Sequence, residues 1–208
     1  MPVEQLRSQT RHQRILDAAT LVFSHRGYRD TSVDQIAEAS DTSKGGVYFH
    51  FPNKEAIFLA LLDRMAALLR DRAERAIAGA VGPTAKLDAA LQTMLHTFAS
   101  HRTLARLFLI DALGASREFN GRVLAIQTEF VALIQRQLDD AIAQGELRPV
   151  DTEITSVAWF GALFQVVTRW LLTGRPADLH DAYPALRTLL IRSVDLAADQ
   201  TMERRDDR

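Results

Sequence analysis

Apolar side chains recur at spacings of three and four along nearly the whole chain, while period-two alternation is scarce, so the pattern predicts helices throughout. Ile15, Ala19, Val22 and Phe23 make one stripe on a first helix from about Gln9 to Arg26. Gly27, which takes left-handed backbone readily, stops it, and Tyr28 follows as a core plug. Thr31 or Ser32 offers an N-cap, with Asp34 or Gln35 three residues on, as in a capping box. The short helix behind that cap turns Val33, Ile36 and Ala37 inward and ends near Ser40-Asp41, where Asp tolerates the left-handed conformation. Thr42-Ser43 caps a third helix, Lys44 to about Phe51. Pro52-Asn53 breaks it and opens a long amphipathic helix with Ile57, Leu61, Leu62, Met65, Leu68 and Leu69 on its apolar side.

Gly82-Pro83 is the next clear break. Further helices are expected from Thr84 to about Ser100, Thr103 to Gly114, Arg117 to Gln144, Asp151 to Thr173 and Asp181 to Asp199. The fold class is therefore all-α, with about nine helices: an N-terminal three-helix domain and a C-terminal helical bundle. Residues 1–52 form the first domain, residues 53–200 the second, and residues 201–208 a frayed tail. No internal repeat or low-complexity segment is visible.

Composition narrows the function classes. Hydrophobic residues at 47% and charged residues at 25% describe a globular chain, and cysteine is absent, which removes disulfides, thiolate metal sites and cysteine nucleophiles. The polar, basic N-terminus has no apolar segment behind it of the kind a secretion signal needs. The most apolar run, Val157 to Phe164, is too short to span a bilayer. A cytoplasmic protein without membrane contact is expected. The histidines at 12, 25, 50, 96, 101 and 180 show no close metal-ligand spacing, and no nucleophile elbow or phosphate-binding glycine loop is present. No enzyme activity, catalytic residue, metal or cofactor is expected.

Two short helices with a tight turn between them, Thr31 to Phe51, have the build of a helix-turn-helix whose second helix enters a major groove. Net charge does not advertise a nucleic-acid partner: the whole chain carries −1, and residues 1–54 hold seven Lys/Arg against six Asp/Glu. Local chemistry does. Gly45 and Gly46 weaken a helix by about 1 kcal/mol each relative to Ala, which is reasonable where backbone must approach DNA closely. Lys44, Tyr48, His50 and Lys54 are donors suited to phosphate. The alternative is a helical scaffold or partner-binding protein that uses the same module without DNA.

Residues 11–62 resemble the DNA-binding domain of the tetracycline-repressor (TetR) family. The likeness lies in Phe23, Gly27-Tyr28, Thr31-Ser32-Val33, Ile36-Ala37, Ser43-Lys44-Gly45, Val47-Tyr48 and Phe51-Pro52-Asn53-Lys54-Glu55. That resemblance implies a ligand-responsive repressor that binds double-stranded operator DNA as a homodimer. It implies backbone clamps at Tyr48, His50 and Lys54, base-edge proximity at Ser43, Lys44 and Gly46, and a phosphate contact at Thr31 or Ser32. The chain departs from the family pattern at Asp41, Thr42 and Gly46, the last removing a hydroxyl from the base-facing side.

By the same resemblance, the C-terminal bundle holds a small effector and the dimer interface. Candidate cavity walls are Met94, Phe98, Leu107 and Phe108, with Phe130, Ile134, Trp159 and Phe164 opposite them. His96, Arg106, Asp111, Gln127, Gln165 and Arg169 are candidates to orient the effector. The segment Asp140 to Arg148 and the helix lengths are loosely similar to those of acyl-CoA-responsive members, implying an apolar or acyl-CoA-like effector. The helix from Asp151 is apolar nearly all round and must be covered nearly all round. With the helix after it, it is the expected half of a four-helix interface, and Leu190 is the expected partner-facing residue.

Overall fold

In a computed structural model, residues 3–113 and 116–194 are described, residues 3–8 as backbone only. The described residues form helices α1 (Val3–Arg26), α2 (Val33–Ala39), α3 (Lys44–His50), α4 (Lys54–Ala78), α5 (Pro83–Ser100), α6 (Arg102–Arg106), α7 (Arg117–Ala143), α8 (Thr152–Thr173) and α9 (Tyr183–Arg192). A π-helical turn, Leu107–Asp111, extends α6, and a 3-10 turn, Leu179–Ala182, precedes α9. There is no β-strand among the described residues. The all-α expectation stands.

The differences are local and have causes. α1 starts at Val3, earlier than Gln9, because the stretch from Arg7 to Arg14 has no apolar side chain to carry the stripe back to Val3 and Leu6. The helix expected over Thr103 to Gly114 widens after Arg106, with Ala112 N–H reaching Leu107 C=O at 3.0 Å. Leu104, Ala105, Leu107, Phe108 and Leu109 are all buried. An α-helix turns about 100° per residue and would bring part of so dense a run to the surface. The last helix is split by its 3-10 entry, and the portion expected over residues 195–199 lies outside the described residues.

The described residues divide into two compact units: those up to residue 68 with those of 101–125, and those of 69–100 with those from 126 on. The first unit is centred on four rings. Phe58 lies 5.3 Å from Phe23, 5.1 Å from Tyr28 and 4.6 Å from Phe119, and Tyr28 lies 4.9 Å from Phe119. Tyr28 is thus the expected core plug. Phe58 and Phe119 lie beyond residue 52, so the unit built around the short helices takes in the start of α4, all of α6 and the start of α7. In the second unit Phe98, Phe164, Val167 and Leu171 are buried between α5 and α8. Asp88 of α5 accepts from Arg187 Nε (2.7 Å) and Nη2 (3.2 Å) and from Tyr183 Oη (3.0 Å), tying α9 to α5.

Candidate DNA-binding face and effector cavity

The short helices of the first unit are held by side chains capping backbone. Ser32, not Thr31, closes the capping box: its Oγ accepts from Gln35 N–H at 3.3 Å while Gln35 Oε1 accepts from Ser32 N–H at 2.9 Å. Thr31 is buried and donates to Gly27 C=O at 2.8 Å, so of the two it is Ser32 whose hydroxyl remains at the surface. In the turn, Asp41 takes φ +47°, the left-handed conformation that Asp tolerates. Arg14 of α1 donates to the carbonyls of Ser40 (2.6 Å) and Asp41 (2.8 Å), clipping the turn from below. Nothing in the sequence pattern singles out Arg14, because its hydrogen-bond partners are main-chain oxygens more than twenty residues away.

On α3, Ser43 Oγ accepts from Gly46 N–H at 3.1 Å. Val47 is the inward anchor, and the outward face carries Lys44, Gly45, Tyr48 and Phe49. A Cβ at Gly45 would meet no atom within 4 Å, whereas one at Gly46 would lie 2.8 Å from Thr42 Cγ2 and 3.2 Å from Ser43 Oγ. Thr42 and Gly46 are therefore one coupled departure from the family pattern: the threonine methyl occupies the space that a side chain at 46 would need. Phe49, 79% exposed, is a feature the sequence reading missed. A bare aromatic ring on a groove-facing helix suits apolar contact with a thymine methyl.

Lys44 Nζ pairs with Asp34 at 2.9 Å on the surface, which raises its pKa through the hydrogen bond and charge of that carboxylate. An ion pair this exposed is weakly held, so the ammonium exchanges readily to another acceptor. Lys54 is different. Its Nζ donates to the carbonyls of Tyr28 (2.8 Å), Arg29 (3.2 Å) and Thr31 (2.8 Å) and sits 4.5 Å from the centre of the Tyr28 ring. The three ammonium hydrogens are matched by these three carbonyls, which makes Lys54 a strut holding the α1–α2 loop. Lys54→Met should keep the stem and lose about 2–4 kcal/mol of stability, while leaving the salt dependence of DNA binding unchanged. Chemical unfolding beside a salt titration checks both halves.

His50 ends α3 with its ring 5.8 Å from His12, edge-on, and His12 stacks on Phe51 at 4.7 Å. Burial lowers the pKa of both rings, and the nearby His12 and Arg11 lower that of His50 further. His50 thus offers phosphate a neutral N–H donor near pH 7. Because the folded pKa values lie below the ordinary 6.5, the unfolded chain takes up protons first as pH falls. Stability is complete above about pH 6.5 and declines through the window below it. The melting temperature should fall between pH 7 and 5.5, less steeply in His50→Gln. An identical slope in the variant would contradict the pairing.

The second unit contains an apolar cavity of about 140 Å³ between α4, α5, α7, α8 and α9. Five of the eight expected wall residues come together there: Met94, Phe130, Ile134, Trp159 and Phe164. Phe98 is fully buried behind Phe164 and does not line it. Leu107 and Phe108 belong to the core of the first unit and are corrected accordingly. Four polar side chains reach the lining, Thr84, Lys86, Gln137 and Glu146, and none of the six polar candidates from the sequence is among them. Leu190, expected to face a partner, instead lines this cavity at 4% exposure, and its neighbour Leu189 is 57% exposed.

A separate, polar groove in the same unit is lined by Arg72, His96, His180 and Tyr183. Among the described residues no group of three or more His, Asp or Glu side chains is arranged to hold a metal ion, and no helix is long and apolar enough to cross a membrane.

A capped helix-turn-helix with an outward α3, carried with a helical bundle containing an apolar cavity, defines a one-component DNA-binding regulator. Residues 15–61 match the bacterial regulatory proteins of the tetR family, and residues 80–183 match the tetracyclin repressor-like C-terminal domain. The chain belongs to the TetR family of transcriptional regulators. It is 23% identical over 185 residues to the fatty acid metabolism regulator protein of Bacillus subtilis, covering 88% of this chain and 95% of that one. The fold matches that of the transcriptional regulator FadR from Bacillus subtilis in complex with stearoyl-CoA, with TM-score 0.79 and 23% identity over 88% of this chain and 99% of that one. It also matches that of AibR in complex with isovaleryl coenzyme A and operator DNA, with TM-score 0.68 and 20% identity over 86% and 97% of the two chains.

Proposed function

We propose that this chain is a homodimeric repressor that leaves its operator when an acyl-CoA thioester occupies the cavity of the second unit. The observation that carries the reading is the cavity lining. It is mostly hydrocarbon and aromatic, with Thr84, Lys86, Gln137 and Glu146 as its polar members, which suits an apolar acyl group whose anionic carrier stays at a polar mouth. Relatives that bind stearoyl-CoA and isovaleryl coenzyme A share the fold and support that class of effector.

The DNA half of the proposal assigns phosphate contacts to Ser32, Tyr48 and His50. Ser43, Lys44, Gly45 and Gly46, with Phe49 added, lie nearest the bases. Lys44 is freed from Asp34 by the stronger field of the duplex. A repressor that works on DNA this way acts in the cytoplasm, and no catalytic role is assigned to any residue.

The dimer is assigned to α8 and α9. On α8, Ile154, Val157, Gly161, Gln165 and Leu172 are exposed at spacings of three, four, four and seven, one helical stripe with a glycine at its middle that lets a partner helix approach. Leu189 continues the apolar surface on α9. α4 and α7 each contribute residues to both units and are the covalent routes by which occupancy of the cavity reaches the helix-turn-helix.

A gel shift on the DNA upstream of the protein's own gene, with unrelated DNA as competitor, tests the reading. Specific retardation relieved by acyl-CoA but not by free CoA is expected. Absence of any specific complex would favour a scaffold role and overturn the proposal.

A further inference from the structure

The cavity wall includes a row of aromatic rings. Phe160 and Phe164 are one helical turn apart on α8, with ring centres at 3.9 Å and planes at 30°. Phe130 of α7 lies beside Phe160 at 6.4 Å, nearly parallel, and Phe98 of α5 meets Phe164 edge-on at 5.9 Å. Phe98 is completely buried. The row therefore runs from the cavity wall into solid core and closes the cavity on that side.

The space in front of that wall is small. A dry cavity of about 150 Å³ lined by aliphatic and aromatic side chains holds a benzene molecule, six carbons in all. The cavity here, at about 140 Å³, has the same capacity. An eighteen-carbon chain needs roughly three times that space, and close-packed rings do not yield it without displacing core.

We infer that Phe160 and Phe164 act as a ruler, setting the acyl group this cavity accepts at about six carbons, straight or branched. The inference rests on the acyl-CoA reading above and adds which acyl groups qualify. Each methylene that enters the cavity adds about fourfold in affinity, equivalent to about 0.8 kcal/mol, until the chain reaches the Phe160–Phe164 wall; beyond that, added carbons stay in water or force the rings apart. Phe164→Ala removes a ring of about the cavity's own size, so it should roughly double the space and move the preferred length to about twelve carbons. Ala90, which lines the cavity from α5, provides the opposite change. Ala90→Leu shortens the usable space and should favour acyl groups of two to four carbons.

Calorimetric titration of the full-length dimer with acetyl-, butyryl-, hexanoyl-, dodecanoyl- and stearoyl-CoA, and with free CoA, tests this. Wild type should tighten up to hexanoyl-CoA and bind dodecanoyl- and stearoyl-CoA no more tightly than hexanoyl-CoA. The optimum should move to dodecanoyl-CoA in Phe164→Ala and to butyryl-CoA or shorter in Ala90→Leu. If Phe164→Ala does not fold, Phe164→Leu should give a shorter shift in the same direction. Affinity that keeps rising to stearoyl-CoA in wild type, or optima unmoved by the folded variants, would overturn the ruler and leave the acyl-CoA reading standing. No binding of any thioester beyond that of free CoA would overturn that reading, and the ruler with it.

Discussion

Gly45→Ala is expected to make the protein more stable and a poorer DNA binder at the same time. Alanine favours helix over glycine by up to about 1 kcal/mol, and a Cβ at position 45 meets nothing within 4 Å. The fold has no reason to keep glycine there. The DNA-facing surface does, because an added methyl on the outward side of α3 holds the helix off the base edges. The loss expected is about 1–3 kcal/mol, or ten- to a hundredfold in operator affinity, comparable to a mismatched base pair. Thermal unfolding and operator titration on the same preparation check the two signs. Gly46→Ala is the control, since the 2.8 Å approach to Thr42 Cγ2 sets a steric cost against the same helix gain. Its stability should recover in the Thr42→Ala, Gly46→Ala double variant. A Gly45→Ala protein with unchanged operator affinity would remove α3 from the groove.

Leu189→Glu and Val157→Glu are each expected to convert the dimer to a folded monomer. Both side chains are more than half exposed, so a carboxylate there costs the monomer little. In a paired seam it would be buried against apolar surface without a counter-charge. Operator affinity should collapse by a hundredfold or more, because binding of the second half-site ceases to be intramolecular. Sedimentation velocity reads the mass and anisotropy reads the affinity. Leu190→Glu should behave differently and unfold the second unit, since Leu190 faces the cavity. A dimer that survives both surface substitutions with full affinity would place the interface elsewhere.

The helix-turn-helix was legible in the sequence because its signals are local. Ser32 with Gln35, Ser43 with Gly46, Asp41 in left-handed backbone and Gly27 with φ +77° are all decided within four residues. The ends of α8 were legible for the same reason: Asp151 Oδ1 accepts from Ile154 N–H at 3.0 Å, and Gly174 N–H closes on Trp170 C=O at 2.8 Å. The bracing by Lys54 was not legible, because its partners are three carbonyls of a loop more than twenty residues away, and main-chain oxygens leave no mark in a sequence. Leu107 and Phe108 misled because apolar side chains declare that they are buried, not in which of two cores. Leu189 and Leu190 show the finest limit: one residue of helical phase decides whether a leucine faces a cavity or solvent, and two adjacent leucines do not reveal the phase.

On the proposed reading, DNA and acyl-CoA compete through one protein by favouring different states. A ligand shifts that balance only through its differential affinity, and the coupling must be reciprocal. The direct measurement is a pair of titrations on the full-length dimer: operator DNA with and without the tightest-binding acyl-CoA, and that acyl-CoA with and without saturating operator. The account predicts that each weakens the other by the same factor, between about five- and 150-fold. Affinities unchanged by the other ligand, in a protein that binds both, would contradict it.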